Sequence, residues 1–354
     1  MRHLLLAALI LPAAALHAWD YHGHRTVAQL GLAALPADFP GFVRSPENAE
    51  RIAYLSGEPD RWRNVDPWLR QNGPSWNDHF LDVEQLEWAG LDARTVPSLR
   101  LDFALAFAAG RAAHADRFPA VDPARNTDGT RQWPGFLPWV ITEWTHKLRS
   151  NIAVLKAYQE MGGTPDEIAQ AKESIVNTMG LLAHYVGDCA QPLHTTENYN
   201  GWSGPNPDDY TTWRGIHSWI DGGLVAKSGI TADALKSRVQ TPKVFLLGPR
   251  PDGRDPLFVI VMDWFLAQHA KVETIYRLEK AGKLSNEKEK ADRSQPFFPG
   301  PVEPEGRAFL EGQFLGGGEM LAALWATAWH SAPVDTYLRG QLARRQGLTP
   351  SPGS

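Results

Sequence analysis

The stretch His184-Tyr-Val-Gly-Asp-Cys-Ala-Gln-Pro-Leu-His194 joins the end of a helical segment to a turn. Apolar residues at helical spacing over 165–187 predict a long helix. Pro192 is expected to end it, because proline cannot donate the backbone hydrogen bond that a helix needs. His184 and Asp188 are four residues apart and therefore share one helix face. A turn at Pro192 would bring His194 back toward that face, so the sequence predicts a cluster of imidazole and carboxylate groups.

Helix-period apolar positions recur along most of the chain. They predict helices at 25–35, 98–114, 137–161, 165–187, 256–282 and 305–331. Segments rich in proline and glycine separate them, at 35–41, 117–135, 200–215, 247–256 and 294–304. No alternating run long enough for a sheet and no internal repeat is evident. The chain is therefore predicted to form a single all-α domain over 19–340, with loops carrying part of the site and a disordered tail at 341–354.

Residues 1–18 have the pattern of a secretory signal peptide, with a short basic start, an apolar stretch and small residues up to Ala18. The apolar run is shorter than the roughly 18 residues that a membrane span needs. Cleavage after Ala18 would make Trp19 the mature N-terminus, whereas cleavage after Ala15 would leave three residues before it. The protein is accordingly expected to be exported, to the periplasm or the exterior, and to begin at Trp19.

Composition narrows the class of protein. Removing 18 of the 354 residues leaves 336, enough for one large domain or two ordinary ones. An apolar content of 43% and 14 tryptophans indicate a substantial core. A net charge of −5 argues against a protein that reads duplex DNA, but it is compatible with an enzyme that binds phosphate through metal ions. The single cysteine, Cys189, rules out an intramolecular disulfide framework, and the 12 histidines suggest metal ligands.

Other histidines and carboxylates extend the cluster. His217-Ser-Trp-Ile-Asp221 repeats the four-residue spacing. The amine and carbonyl of a mature N-terminal tryptophan would be able to chelate a metal together with a histidine five residues later. There are nine candidate ligands, all with nitrogen or oxygen donors: Trp19, His24, Asp60, His79, His184, Asp188, His194, His217 and Asp221. Imidazole and carboxylate without thiolate suit zinc in a hydrolytic site.

Each of these residues also has a structural interpretation. A His-x-x-x-Asp pair on a helix is more often a local ion pair than a metal site. A buried histidine is more often a hydrogen-bonded core residue than a ligand. Asp60 fits a helix cap, and Trp19 fits an ordinary core aromatic. From spacing alone, metal binding and these structural roles remain alternatives.

Together the motifs resemble the zinc-dependent S-one/P-one nuclease family, within a superfamily that includes zinc-dependent phospholipase C. The matching residues follow the family's order over roughly the first two thirds of the chain: Trp19 with Gly23-His24, Asp60-Arg-Trp-Arg63, His79-Phe-Leu-Asp82, His184-x-x-x-Asp188-x-x-x-x-x-His194 and His217-x-x-x-Asp221. The decapeptide that begins at Gly316 resembles the family's last helix. The segment 240–304 matches no motif of the family.

This resemblance implies a phospholipase C/S-one/P-one nuclease type of all-α fold with a cleft that binds three zinc ions. One zinc would bind Asp60, His79 and His184, with Asp188 as a bridging ligand. The second would bind the amine and carbonyl of Trp19, His24 and the other oxygen of Asp188. The third would bind His194, His217 and Asp221.

The resemblance also implies a mechanism. Two close zinc ions would lower the pKa of a shared water, and the resulting hydroxide would attack phosphorus in line. Asp60 and Arg63 would be catalytic, with Arg63 binding the phosphate; the alternative for Arg63 is an ion pair with a carboxylate. Phe80 and Asp82 would bind a nucleobase, by stacking and hydrogen bonding. The alternative is that Phe80 is a core residue and that Asp82 supports His79.

The export signal and this resemblance together imply an exported zinc phosphodiesterase that acts on single-stranded DNA and RNA, and on 3'-nucleotides. Two alternatives accompany it: a phospholipase C that acts on phospholipid headgroups, and a catalytically inactive, zinc-stabilised binding module. The tight Trp19–His24 spacing and Arg63, three residues after Asp60, favour the nuclease. No stable protein partner is implied. A haem protein is disfavoured because the chain has no Cys-x-x-Cys-His motif.

Overall fold

The computed structural model describes residues 19–66, 68–69, 74–121, 132–285 and 301–348, and these are mostly helical. Within them the only β-type pairings are two isolated bridges, Leu81 with Gly135 and Tyr199 with Gly201. The helices of six residues or more are α1 (Tyr21–Ala34), α2 (Pro46–Leu55), α3 (Glu58–Val65), α4 (Val83–Trp88), α5 (Arg100–Ala113), α6 (Leu137–Glu160), α7 (Pro165–Cys189), α8 (Pro256–His269), α9 (Val272–Lys280), α10 (Pro304–His330) and α11 (Thr336–Arg345). The predicted all-α class is confirmed at this level.

Shorter helical segments complete the described chain. Four are short α-helical turns: Pro74–Asn77, Ile216–Ser218, Val225–Ser228 and Ala232–Leu235. Three are 3-10 turns: Gly41–Arg44, Ala115–Arg117 and Pro192–Thr195. A π-helical turn spans Trp219–Leu224. Three of these segments carry candidate ligands: Ile216–Ser218 carries His217, Pro192–Thr195 carries His194 and Trp219–Leu224 carries Asp221.

Five of the six predicted helices are confirmed to within a few residues, and one is corrected. The predicted helix 256–282 is two helices, because α8 ends at His269 and α9 begins at Val272. No helix-breaking residue marks this point. Instead, the amine of Lys271 is held by Gln268 at 2.9 Å and by Gln313 of α10 at 2.8 Å. This tertiary contact accounts for a break that periodicity alone does not show.

The chain termini differ in what the structure describes. Residues 1–18, the predicted signal peptide, lie outside the described residues. The predicted disordered tail 341–354 is corrected at its start, because α11 continues to Arg345 and buries Leu342 and Ala343. Those apolar side chains dock the last helix onto the domain. Residues 349–354 lie outside the described part.

Helix α7 is the central element of the fold. Its start is well defined: the Thr164 side chain accepts from the Glu167 backbone, Glu167 caps Thr164 in return, and Pro165 occupies the first turn. Its C-terminal half is almost entirely buried, where it packs against α1, α2, α6 and α10. A fully enclosed helix end can present polar side chains to a water-poor interior. This is where His184 and Asp188 lie.

Close packing of α1 against α10 depends on glycine. A Cβ atom on Gly318 would lie 2.6 Å from Cβ of Leu30, closer than side chains tolerate. The glycine therefore lets α10 approach α1 closely at Leu30. Although α10 is 27 residues long, no helix within the described residues has the length and apolar character to span a bilayer.

Candidate metal centre

Asp188 stands at the centre of the candidate site, on the last turn of α7. Its Oδ2 atom lies 2.9 Å from Nδ1 of His79 and 3.2 Å from Nε2 of His184. Those two imidazole nitrogens are themselves only 2.9 Å apart. All three residues are buried. Two ring nitrogens and a carboxylate oxygen therefore converge on one point inside the protein.

The other carboxylate oxygen of Asp188 faces a different histidine. Oδ1 lies 3.5 Å from Nε2 of His24. The His24 ring stacks on the His184 ring, with a centroid distance of 4.1 Å. Neither ring nitrogen of His24 has a hydrogen-bond partner among the described residues, although the residue is fully buried. Since buried polar atoms are normally partnered, these nitrogens fit a ligand that is not a protein group.

Asp60 adds a second carboxylate near the same imidazoles. It lies in the first turn of α3 and is buried. Its carboxylate is 3.8 Å from Nδ1 of His79, and 3.9 Å from Nε2 of both His24 and His184. Two overlapping three-residue groups result, with donor atoms within 4.8 Å of one another: Asp60, His79 and His184, and His24, His184 and Asp188.

A third cluster forms in the loops after α7. The chain turns at Pro192–Thr195, as the position of the proline predicts, and this turn carries His194. Nε2 of His217 lies 3.2 Å from Nε2 of His194 and 2.6 Å from Oδ2 of Asp221. Asp221 belongs to the π-helical turn, a local widening that often occurs at functional sites. The third group is therefore His194, His217 and Asp221.

Main-chain carbonyls orient two of the imidazoles. Nδ1 of His184 lies 2.8 Å from the carbonyl oxygen of Ser56, and Nδ1 of His194 lies 2.7 Å from that of His79. Because a carbonyl only accepts, each Nδ1 carries the proton that it donates. The lone pair of a neutral ring then lies on Nε2, which points into the cluster. Histidine ligands of metals are usually held in this way.

The electrostatics of the clusters favour a bound cation. Burial lowers the pKa of His24 to about 3 and that of His217 to about 3, so these rings are neutral near pH 7. Burial opposes ionisation of Asp60 and Asp188, but nearby arginine or histidine charges outweigh it and lower the pKa of both carboxyls. Burial raises the pKa of Asp221. Around Asp188, the neutral ring of His24 therefore lies beside the ionised carboxylates of Asp60 and Asp188, a donor set that suits a divalent metal.

Arg63 lies between the clusters. Its Nη2 atom donates to Oδ1 of Asp60 at 2.7 Å, and its guanidinium carbon lies 4.9 Å from the ring centre of Trp76. After burial, its charge is the largest factor that lowers the pKa of both His79 and His217, which belong to different clusters. The ion-pair alternative for Arg63 is therefore present in the structure. Phosphate binding by Arg63 stays a prediction.

Trp19 is buried beside the start of α1, where its ring centre lies 4.8 Å from that of Phe314. A Cβ atom on Gly23 would lie 2.7 Å from Cβ of Trp19, so this glycine makes room for it. The following residue ties this corner to the third cluster, since the amide of Asp20 donates to the carbonyl of Asp221 at 3.1 Å. The residue after Trp19 is thus hydrogen-bonded to the turn that carries Asp221. The chelating role of Trp19 stays a prediction.

The two predicted base-binding residues differ in accessibility. Phe80 is partly exposed, with its ring edge-on to Trp76 at 6.5 Å. Asp82 is buried and accepts from Nε2 of Gln85 at 3.2 Å. The structure thus leaves part of the Phe80 ring open to a ligand, whereas Asp82 already has a protein partner. Base binding by this pair stays a prediction.

Gln191 is a site residue that the sequence analysis missed. Its Nε2 atom donates to Oδ1 of Asp221 at 2.5 Å, and its Oε1 atom accepts from the amide of Leu193 at 2.7 Å. The residue is fully buried, and its backbone N–H donates to the backbone carbonyl of Asp188 at 3.0 Å. Gln191 therefore holds Asp221 so that Oδ2 faces the histidines. The only sign of this role in the sequence is its position between Asp188 and Pro192.

The segment 240–304, which matches no motif of the family, hydrogen-bonds to the loops of the third cluster. Nδ1 of His269, at the end of α8, lies 2.9 Å from the carbonyl oxygen of Thr195. The Tyr276 hydroxyl of α9 donates to the carbonyl of Asn198. Nε1 of Trp219 donates to the carbonyl of Leu284 at 2.9 Å. Residues 256–284 thus fix the loops that carry His194, His217 and Asp221.

Comparisons with known proteins do not add a family. No protein-family model matches the chain, and no curated protein matches it either. The functional interpretation therefore rests on the residues and on their geometry.

Proposed function

We propose that this protein is an exported zinc-dependent phosphodiesterase of the S-one/P-one nuclease type that hydrolyses single-stranded DNA and RNA, and 3'-nucleotides. One observation carries the proposal. Asp188 turns its two oxygens toward two different imidazole sets, next to a third cluster and to a buried arginine. This is the arrangement that the sequence resemblance implies for a centre with three metal ions.

The proposed metal is zinc, with three ions. One would be held by Asp60, His79 and His184, and a second by His24 and the main chain of Trp19, with Asp188 shared between them. The third would be held by His194, His217 and Asp221. When bound, zinc supplies Lewis acidity and an activated water for attack on phosphorus. The partnerless ring nitrogens of His24 and the absence of thiolate from the clusters support this assignment.

The protein residues have separate tasks in this proposal. Asp60 keeps the charge of Arg63 at the edge of the clusters. Arg63 would offset the negative charge that develops on the phosphoryl oxygens. The partly exposed ring of Phe80 would stack on a base next to the scissile phosphate, and Asp82 would fix the polar groups around that base. The carbonyls of Ser56 and His79 keep their histidines from rotating.

The decisive experiment uses exported protein whose N-terminal residue is first determined. We expect the sequence to start at Trp19 and the protein to contain three zinc ions, measured by elemental analysis. The protein is then assayed, with and without chelator, on single-stranded DNA, RNA and phosphatidylcholine. We expect cleavage of both nucleic acids, which chelator removes and zinc restores.

Three results would contradict the proposal or the assignment of one of its zinc sites. Turnover of phosphatidylcholine without cleavage of nucleic acid would identify a phospholipase C. Three bound zinc ions without turnover of any of the three substrates would identify a metal-stabilised binding module. A mature chain that starts at Leu16 would leave the second zinc without its amine ligand.

A further inference from the structure

Arginine and tyrosine side chains stack on one another at the surface, where α1 begins and α2 meets α3. We call these residues the arginine–tyrosine patch: Tyr21, Arg25, Arg51, Tyr54 and Arg61. The guanidinium carbon of Arg61 lies 4.2 Å from the ring centre of Tyr54 and 5.3 Å from that of Tyr21. Arg25 lies 5.3 Å from the Tyr21 ring, and Arg51 lies 5.9 Å from the Tyr54 ring. Tyr21 is 44% exposed and Tyr54 is 41% exposed, so both rings remain accessible.

Ion pairs hold two of the guanidinium groups in fixed positions. Arg61 donates to Glu58 at 2.6 Å, and Arg25 donates through both Nη atoms to Glu50 at 2.9 Å and 2.7 Å. An arginine has five N–H donors, and Nη1 of Arg61 has no hydrogen-bond partner within the described residues. Arg51 forms no hydrogen bond or ion pair with any residue that the structure describes. The patch therefore presents two anchored guanidinium groups, and a third, that of Arg51, whose donors are unused among the described residues.

The patch lies next to the candidate metal centre along the chain. Tyr21 precedes His24 by three residues, one helical turn on α1, and Arg61 directly follows Asp60 on α3. Gly57 lets the two elements meet, because a Cβ atom there would lie 2.6 Å from Cδ2 of the Tyr21 ring. The patch and two of the candidate metal ligands therefore lie close together on the same two helices.

The chemistry of the patch selects an anionic ligand that also has flat apolar groups. Three guanidinium groups face two glutamates here, on a chain whose net charge is −5. This local excess of positive charge attracts phosphate. Exposed tyrosine edges add apolar surface for bases that are not paired. A duplex hides its bases, so the fit is to a single strand.

We propose that the arginine–tyrosine patch binds the phosphodiester backbone and bases of a single strand several nucleotides away from the cleaved bond. The inference rests on the proposed nuclease function and deepens it. The enzyme would then bind an extended strand at two places, the metal centre and the arginine–tyrosine patch. Substrates too short to reach the patch lose its contribution, so their KM reflects the metal centre alone.

The test compares a long and a short substrate in the same enzyme preparations. The Arg51→Gln/Tyr54→Ala double variant alters the two patch residues of α2, and neither contacts a candidate metal ligand. Its matched control is Arg344→Gln/Tyr337→Ala, which removes the same groups from exposed positions on α11. We expect the patch variant to raise KM for an oligothymidylate of about twelve nucleotides by about tenfold, and to leave KM for the thymidine dinucleotide at the control value.

Direct binding separates this proposal from the proposed function. Fluorescence anisotropy of the labelled oligothymidylate with zinc-loaded protein is measured over a range of salt concentrations. The patch variant should bind about tenfold more weakly, and the salt dependence of its affinity should be less steep by about one unit. If the wild type binds in this way but cleaves nothing, the nuclease proposal fails and the patch stands. Equal affinity and equal KM in the patch and control variants would overturn the patch proposal, whether or not the enzyme cleaves DNA.

Discussion

The carbonyl oxygen of His79 accepts a hydrogen bond from Nδ1 of His194, at 2.7 Å. The His79 imidazole belongs to the clusters around Asp188, whereas His194 belongs to the third cluster. The amide of Leu81 donates back to the carbonyl of His194 at 3.0 Å. The segment that carries one ligand therefore orients another, and the clusters are held in a fixed relation. A centre in which several ions act on one phosphate needs such a fixed spacing.

Replacing Asp188 by asparagine tests its shared role. Asparagine keeps the shape but removes the charge that Oδ1 and Oδ2 offer to His24 and His79. We expect metal content to fall from three ions to one and phosphodiesterase activity to fall to the level of chelator-treated protein. Elemental analysis of the purified variant measures the first effect. Asp263→Asn, at an exposed position on α8, is the control. Retention of three ions by Asp188→Asn would refute the bridging role.

Replacing Gly187 by alanine tests the packing of His24 against α7. A Cβ atom at this position would lie 2.6 Å from Nδ1 of His24. Alanine normally stabilises a helix interior by about 0.5 to 1 kcal/mol relative to glycine. Here we expect the reverse, a loss of about 1 to 3 kcal/mol from overpacking, measured by denaturant unfolding.

The control for that variant is Gly312→Ala on α10. A Cβ atom there would meet nothing within 4 Å, so the usual gain in helix stability should appear. If both variants gained stability, the close contact between Gly187 and His24 would not exist in solution.

The sequence predicts the long helices of this fold because their apolar periodicity is strong. It predicts the end of α7 for a local reason, since Pro192 cannot continue a helix. It misses α2, α3, α4 and α11, which are short and depend on packing for their stability. The break at Lys271 also escapes it, because its cause is the contact with Gln313 on a distant helix.

The candidate site, too, is predicted from the sequence only in part. His184 and Asp188 share a helix face, so spacing places them together. The convergence of Asp60, His79 and His24 on them depends on how three other segments pack, and spacing alone left it open. Gln191 and the carbonyl of Ser56 carry no sequence motif for their roles. Their roles are visible only in the structure, where the Ser56 carbonyl accepts from His184 and Gln191 donates to Asp221.

Gln191 provides a test of the third cluster alone. Gln191→Met keeps the volume of the side chain but removes the donor to Asp221. Residues that orient a ligand typically contribute 10- to 100-fold to metal affinity, and we expect a loss of about that size for one ion of three. Chelator competition measures the affinities, and the visible spectrum of cobalt-substituted protein reports the altered geometry. Gln170→Met, at an exposed position on α7, is the control. An equal loss for all three ions would show a general structural role instead.

The pH dependence of stability provides a test of His24 in metal-free protein. Burial and the neighbouring His184 lower the pKa of His24 from 6.5 to about 3 in the folded state. Below pH 6.5 the unfolded chain therefore binds a proton that the folded chain does not, and stability from this residue is lost as pH falls. The His24→Gln variant lacks this effect. We expect its free energy of unfolding, relative to wild type, to rise as pH falls from 7 to 4, with a slope of at most about 1.4 kcal/mol per pH unit. Urea unfolding of chelator-treated proteins at several pH values measures this difference, and a difference that does not change with pH would mean that His24 is not held neutral in the core.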